Sequence, residues 1–350
     1  MDWKGLLKLN QDEVLGLDIG SSTVKMVQLR KDNGDCSVTA AAIVDITDGQ
    51  ESDKNREQKN TIKAIRDCFR SVGIRTRFAV CGVCGPEVAV RYFEFPFLPA
   101  EEIEGAVMLE ASQVCPFNVD DGAVDYQLIT DGDDKVSGIL VAATGRLIKE
   151  KTRLAKDASL DNVLMDVDGL ALLNCFSECE KDSSGRTKAV LNVGRSFTNL
   201  AIIGDNSLPF IRDISYAGKA IIDEIAGEND VSAEVVERIL AGCEDADQPQ
   251  LELGSSLRKA CRKLIVDITE TLRYYAAQKN SSPVTEIFVC GGFALVEGFL
   301  ELLNDKLPAP AVLWNPFDKM QCDADQSCRD VLEKRGPAMA VAAGLAMRSI

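Results

Sequence analysis

Residues 15–29 read LGLDIGSSTVKMVQL. An apolar run (Val14, Leu15, Leu17, Ile19) carries one acid, Asp18, breaks at Gly20-Ser21-Ser22-Thr23 and resumes as Val24, Met26, Val27 and Leu29. That alternation predicts a β-hairpin with a small polar turn. Gly20 lets backbone approach a bound anion, and Ser21, Ser22 and Thr23 bring hydroxyl and amide donors to it. Lys25 adds a positive charge, and Asp18 is placed to hold a magnesium ion or its waters. Taken alone, the segment is equally well an ordinary hairpin with a serine-rich turn.

The same arrangement recurs at 189–203, AVLNVGRSFTNLAII, where an apolar strand ends in Gly194, runs through Arg195, Ser196 and Thr198, and resumes as a strand. Two such hairpins point to two similar domains facing one ligand. A third element, IFVCGGFALVEG at 287–298, is a strand ending in Gly291-Gly292 followed by a helix start. A glycine pair there admits close approach of a flat or anionic ligand.

In order and spacing these elements resemble the phosphate-1, phosphate-2 and adenosine motifs of the actin-like ATPase superfamily. The resemblance is closer to the type IV pilus assembly protein PilM family, relatives of the bacterial division protein FtsA. It extends through FIRDISYAGKAIIDEIA at 210–226, IFVCGGFALVEGFLELL at 287–303, WNPFD at 314–318, the ending AVAAGLAMRSI, and LPAEEIEGAVMLEASQVCPFNVDDGAVDYQLI at 98–129. It implies an α/β chain with the actin-like ATPase fold: two RNase H-like domains around a nucleotide cleft, with an inserted FtsA-type 1C subdomain. The first domain would comprise 1–90, completed by about 159–187 and 318–350. The insert would be 91–158 and the second domain 188–317. ATP and Mg2+ would be the cofactors. Asp18, Gly20, Ser21, Ser22, Thr23, Lys25, Asn192, Gly194, Arg195, Ser196, Thr198, Gly218, Glu234, Gly291, Gly292 and Phe293 would line the nucleotide, and Asp18 and Asn192 would meet the metal through water. The implied partner is the N-terminal cytoplasmic peptide of a PilN-like inner-membrane protein, with signalling to pilus motor ATPases and homo-oligomerisation left open. Tyr92 to Leu98 (YFEFPFL) would contribute to the peptide surface, or else form core strand.

Two departures from the family pattern bear on chemistry. Asn192 stands where most of these ATPases carry an aspartate, which predicts weaker magnesium binding and slow or absent turnover. In AEVVE, 233–237, Glu237 replaces a lysine that would touch the ribose and adenine; Glu234 still reaches the ribose or lies on a solvated helix face.

The chain is long enough for two domains with real cores: 350 residues, 46% hydrophobic. Its net charge of −16 argues against nucleic acid and broad anionic-membrane binding, so membrane association would be indirect. No apolar run spans a bilayer, and MDWKGLLKLN is too short and polar for a signal peptide, which predicts a cytoplasmic protein. Trp3, Leu6, Leu7 and Leu9 would form a docked arm, or else touch a membrane or a partner. Histidine is absent, which removes histidine acid–base chemistry; most of the twelve cysteines read as buried packing in a reducing compartment, and CGVC at 81–84 lacks the further ligands a zinc site would want, its role left open.

Pattern predicts strands within 14–47, a polar linker at 48–60, a helix from Ile62 to Val72, and strands at 78–83 and 87–95. A β-α-β-β-α insert would follow, then a helix at 170–179 after Asp166-Val167-Asp168, a long helix at 257–277, and a small-residue helix packed tightly after Gly336-Pro337. Two other functions on this fold remain. One is an FtsA-like filament, against which the absence of a terminal amphipathic helix counts. The other is a small-molecule kinase using Asp166 or Asp168 as base.

Overall fold

A computed structural model describes residues 13–32, 35–47, 54–71, 73–74, 76–129, 135–160, 162–181, 185–204, 208–243, 252–278 and 281–348. The expected N-terminal arm lies outside them. Contacts divide the chain into two compact units, one of 1–82, 151–181 and 315–350, the other of 83–150 and 182–314.

In the first unit, β1 (Glu13–Ile19), β2 (Thr23–Asp32) and β3 (Asp35–Asp45) form an antiparallel meander. β4 (Phe78–Val83) joins β1 in parallel, and β8 (Asn162–Val167) and the short β14 (Gln321–Cys322) complete the order β14-β3-β2-β1-β4-β8. Leu15, Leu17 and Ile19 alternate into one core with Val24 and Met26 from β2 and Ile65 and Cys68 from α1 (Lys54–Ser71). The opposite face takes glycine. A Cβ on Gly16 would lie 1.9 Å from the Ala342 carbonyl of α11 (Ala340–Ala346), and one on Gly344 would lie 1.9 Å from the Ala171 carbonyl of α4 (Asp168–Cys179). The small-residue helix therefore packs backbone on backbone, as its sequence predicts.

The second unit holds β9 (Lys188–Val193), β10 (Thr198–Ile203), β11 (Pro209–Ile214), β12 (Glu286–Cys290) and β13 (Ala311–Leu313) in the order β11-β10-β9-β12-β13. This repeats the antiparallel meander plus parallel strands of the first sheet. Helices α5 (Gly218–Asn229), α6 (Ala233–Leu240), α7 (Leu253–Ala260), α8 (Arg262–Ala276) and α9 (Phe299–Lys306) cover it. The same unit carries a three-stranded antiparallel sheet, β5 (Val88–Pro96), β7 (Lys135–Ala143) and β6 (Ala123–Ile129), in the order β5-β7-β6. Its own core is Phe93, Ile103, Val107, Ala111 and Leu140, with α2 (Ala100–Val114) lying over it. Phe93 is thus core strand, whereas Tyr92 and Phe97 are exposed.

Three expected boundaries move. The polar stretch from Lys54 is already helix, because Lys, Arg, Glu and Gln are good helix formers although no apolar stripe appears before Ile62; residues 48–53 lie outside the described set. The long helix expected at 257–277 is α7 and α8, meeting at Cys261, whose amide still bonds the Leu257 carbonyl. The helix after Asp166 begins at Asp168, two residues earlier than the pattern placed it.

Candidate functional site

Each meander begins with a hairpin of the same build. Ile19 pairs with Val24 around a four-residue loop closed by the Gly20 amide donating to the Thr23 carbonyl at 3.0 Å. Val193 pairs with Thr198 around a four-residue loop closed by the Gly194 amide donating to the Phe197 carbonyl, also at 3.0 Å. Two residues before each glycine stands the polar strand residue, Asp18 or Asn192, and each bonds its partner on the neighbouring strand.

In the first unit Lys25 Nζ meets Asp18 Oδ2 at 2.8 Å, with both side chains mostly buried. Lys151 Nζ donates to the Ile19 carbonyl at 2.6 Å, a second cation against the same loop. The loop is open at Ser21 and half-buried at Gly20, Ser22 and Thr23; the Ser22 carbonyl receives the Ile46 amide at 2.7 Å. Cys81 on β4 is fully buried, and burial pushes its thiol up to about 12, so CGVC offers no thiolate nucleophile from that residue. Asp166 is buried and ion-paired to Arg348 at 2.8 Å.

In the second unit the pair is neutral. Asn192 Nδ2 donates to Asn199 Oδ1 at 2.7 Å, and Asn199 Nδ2 donates to Asp213 Oδ1 at 2.8 Å. Asp213 Oδ2 accepts the Gly85 amide at 2.6 Å. Cys290, Asn192, Asn199 and Asp213 are register partners across β12, β9, β10 and β11, a polar rung over four strands. Burial raises the Asp213 carboxyl above its ordinary value, and the Asn199 and Gly85 hydrogen bonds oppose that rise. At the foot of β5, Glu87 accepts from Thr144 at 2.6 Å and from Arg146 Nη2 at 2.8 Å, and the Arg146 bond holds its carboxyl below the usual range.

The expected adenosine-side glycines gather beside this hairpin. Gly291 has φ +95°, and a Cβ there would lie 2.4 Å from the Val193 carbonyl and 2.7 Å from Asn192 Oδ1. A Cβ on Gly218, first residue of α5, would lie 2.9 Å from the Phe293 ring, and the Gly218 amide donates to the Gly194 carbonyl at 3.0 Å. Gly292 faces open space. Phe293 is buried edge-on to Phe299, so it supports the glycines from the core. Thr198 has no exposed surface, and its hydroxyl donates to the Tyr216 carbonyl at 2.9 Å; it builds the hairpin and offers nothing to a ligand. Arg195 lies 2.5 Å from Glu237, and Glu234 is exposed on α6.

Sequence reasoning missed Lys151, Asn199, Asp213 and Glu237's pairing with Arg195. Only Asn199 had a local signal, seven residues from Asn192 across a four-residue turn. Among the described residues no cluster of three or more acidic or cysteine side chains could chelate a bare metal. One carboxylate, Asp18, beside a small polar turn would fit a magnesium ion that arrived with a ligand and kept most of its waters.

The solved PilM–PilN type IV pilus biogenesis complex is similar with a TM-score of 0.80 and 24% identity, over 96% of this chain and 98% of that one. A diol dehydratase-reactivating factor in nucleotide-free form matches at a TM-score of 0.56 and 11% identity, covering 95% of this chain and 98% of that one. Ethanolamine utilization protein EutJ from Carboxydothermus hydrogenoformans matches at 0.54 and 15%, covering 95% and 88%. With the doubled meander, these likenesses establish the actin-like ATPase fold. The family model of the type IV pilus assembly protein PilM matches residues 16–350, and the chain therefore belongs to the PilM family.

Proposed function

We propose that this pilus assembly protein is an ATP-binding scaffold that grips the N-terminal cytoplasmic peptide of a PilN-like membrane protein. The observation that carries the reading is the duplicated hairpin, with the same loop closure and the same polar strand position in both units. Gly20, Ser21, Ser22, Thr23 and Lys25 on one hairpin, and Gly194, Arg195 and Ser196 on the other, hold phosphate. Gly218, Gly291 and Gly292 admit the nucleoside. Asp18 and Asn192 orient magnesium-bound water. When bound, the metal shields phosphate charge; with a neutral amide at 192, little is left to polarise an attacking water, and turnover is slow or absent. The three-part division of 1–90, 91–158 and 188–317 belongs to the same reading, with the peptide bound near the insert.

Nucleotide occupancy would bias the second hairpin and, through Asn199, Asp213 and Gly85, the foot of β5, so that ATP alters peptide affinity. Signals to the motor ATPases and attachment to the inner membrane run through the partner. No helix among the described residues is long and apolar enough to cross a membrane. Of the two candidate bases of the kinase alternative, Asp166 is tied to Arg348.

The test is calorimetric titration of the full chain with Mg-ATP, then with a PilN-like N-terminal peptide in the presence and absence of Mg-ATP. Saturable ATP binding that Lys25→Ala weakens at least tenfold, together with a peptide affinity that ATP shifts, is the expected result. Absence of ATP binding, or peptide binding indifferent to ATP, overturns the reading.

A further inference from the structure

One marked local departure from the chain's acidity is α1. Six of its eighteen residues are basic (Lys54, Arg56, Lys59, Lys63, Arg66, Arg70) and two are acidic (Glu57, Asp67), in a chain whose net charge is −16. Lys59, Lys63, Arg66 and Arg70 recur at i, i+4, i+7 and i+11, one stripe roughly 16 Å long. All four are exposed and line a groove of about 410 Å³ with Ile62, Asp67 and Asp157. Its two carboxylates face cations already: Asp67 lies 4.0 Å from Arg70, and Asp157 lies 3.5 Å from Arg153 at the end of α3 (Gly145–Asp157). Among the described residues neither Lys59 nor Lys63 pairs with a carboxylate. Arg66 donates to the Asp157 carbonyl at 2.5 Å, fixing the groove wall, and Arg77 sits 5.7 Å over the Phe69 ring, adding a cation near the C-terminal end of the stripe.

We infer that this basic face of α1 docks on the anionic phospholipid headgroups of a bilayer. A small phosphate ligand gains most where it is enclosed and desolvated, and here every cation is exposed along an open line longer than one phosphate. A bilayer surface presents phosphates side by side in a plane, which matches an open row of cations. The rest of the chain is more acidic still, so an anionic surface disfavours most other faces, and the exposed Lys259 and Lys263 of a second basic cluster already pair with Glu228 and Asp267. Direct contact would add to any tether through a membrane partner.

The test is co-sedimentation of the full chain with vesicles of phosphatidylcholine alone and of phosphatidylcholine with phosphatidylglycerol, at low and at physiological salt. Binding only to the phosphatidylglycerol vesicles, falling with salt, is expected. The double variant Lys59→Glu/Lys63→Glu should lose at least roughly thirtyfold in apparent affinity, taking each lost cation near the surface at the usual value and the two added carboxylates as further repulsion. Lys306→Glu/Lys334→Glu, equal in charge change and placed on α9 and α10 (Gln326–Arg335), should lose far less. Matching thermal midpoints for both variants show that the fold is intact. Equal loss in the two variants, no binding to phosphatidylglycerol vesicles at low salt, or saturable binding of inorganic pyrophosphate that Lys59→Glu/Lys63→Glu abolishes would each overturn the inference.

Discussion

Asn199 and Asp213 are register partners on β10 and β11, joined by an amide-to-carboxylate hydrogen bond of 2.8 Å. The corresponding first-unit strands carry Lys25 and Ile43, and the carboxylate there stands on β1 as Asp18. In the second unit the negative charge has thus moved two strands from the hairpin's first strand, roughly 10 Å at ordinary strand spacing. At that remove Asp213 does not replace the missing carboxylate at 192. It anchors the Gly85 turn instead.

Asp213→Asn should destabilise the chain by about 1–2 kcal/mol at neutral pH, because one amide oxygen cannot serve both the Asn199 and the Gly85 donors without a donor–donor contact. The folded carboxyl is raised above the unfolded 3.8, so the native state binds more protons between 3.8 and the raised value. Stability contributed by this group falls as pH rises through that window. The difference between urea midpoints of parent and variant, followed across pH, should carry that slope, because the variant lacks the titrating group.

Thr198→Val keeps the shape of a fully buried side chain and removes its bond to the Tyr216 carbonyl. A loss of about 1–2 kcal/mol in stability, with ATP affinity unchanged, is expected from denaturant melts and titration. Loss of affinity at unchanged stability would return Thr198 to the ligand.

Arg195 is held by Glu237, so a phosphate must compete for it. Glu237→Gln should raise ATP affinity about two- to fivefold, the range of a partly exposed ion pair. Reduced affinity would instead assign Glu237 to the ribose.

Gly291 and Gly292 separate two roles that the glycine pair combines. Gly291 has φ +95° and ψ 165°, with no room for a Cβ, so Gly291→Ala should cost about 2 kcal/mol or more in thermal or chemical unfolding. Gly292→Ala meets open space and should leave stability unchanged while lowering ATP affinity, since a methyl group there faces the incoming nucleoside.

Both hairpins and the glycine pair were legible because small polar turns between apolar strands are local signals. Asp18, Gly20 and Gly194 lie on the two hairpins, and Gly218 and Gly291 beside the second. What stayed hidden was set by pairing at a distance: Lys151 reaches Ile19 across 132 residues, Gly85 reaches Asp213 across 128, and Arg195 reaches Glu237 across 42. Thr198 was misread because one sequence cannot tell which face of a strand a hydroxyl takes. The first two turns of α1 were misread because helix propensity without an apolar stripe looks like linker.

At Gly16 and Gly344, β1, α11 and α4 meet backbone against backbone. Side chains absorb small displacements by changing rotamer, and bare backbone has none to change. The strand that carries Asp18 and the two helices behind it are therefore mechanically one plate. Any displacement imposed on this plate must be taken up at seams where side chains intervene.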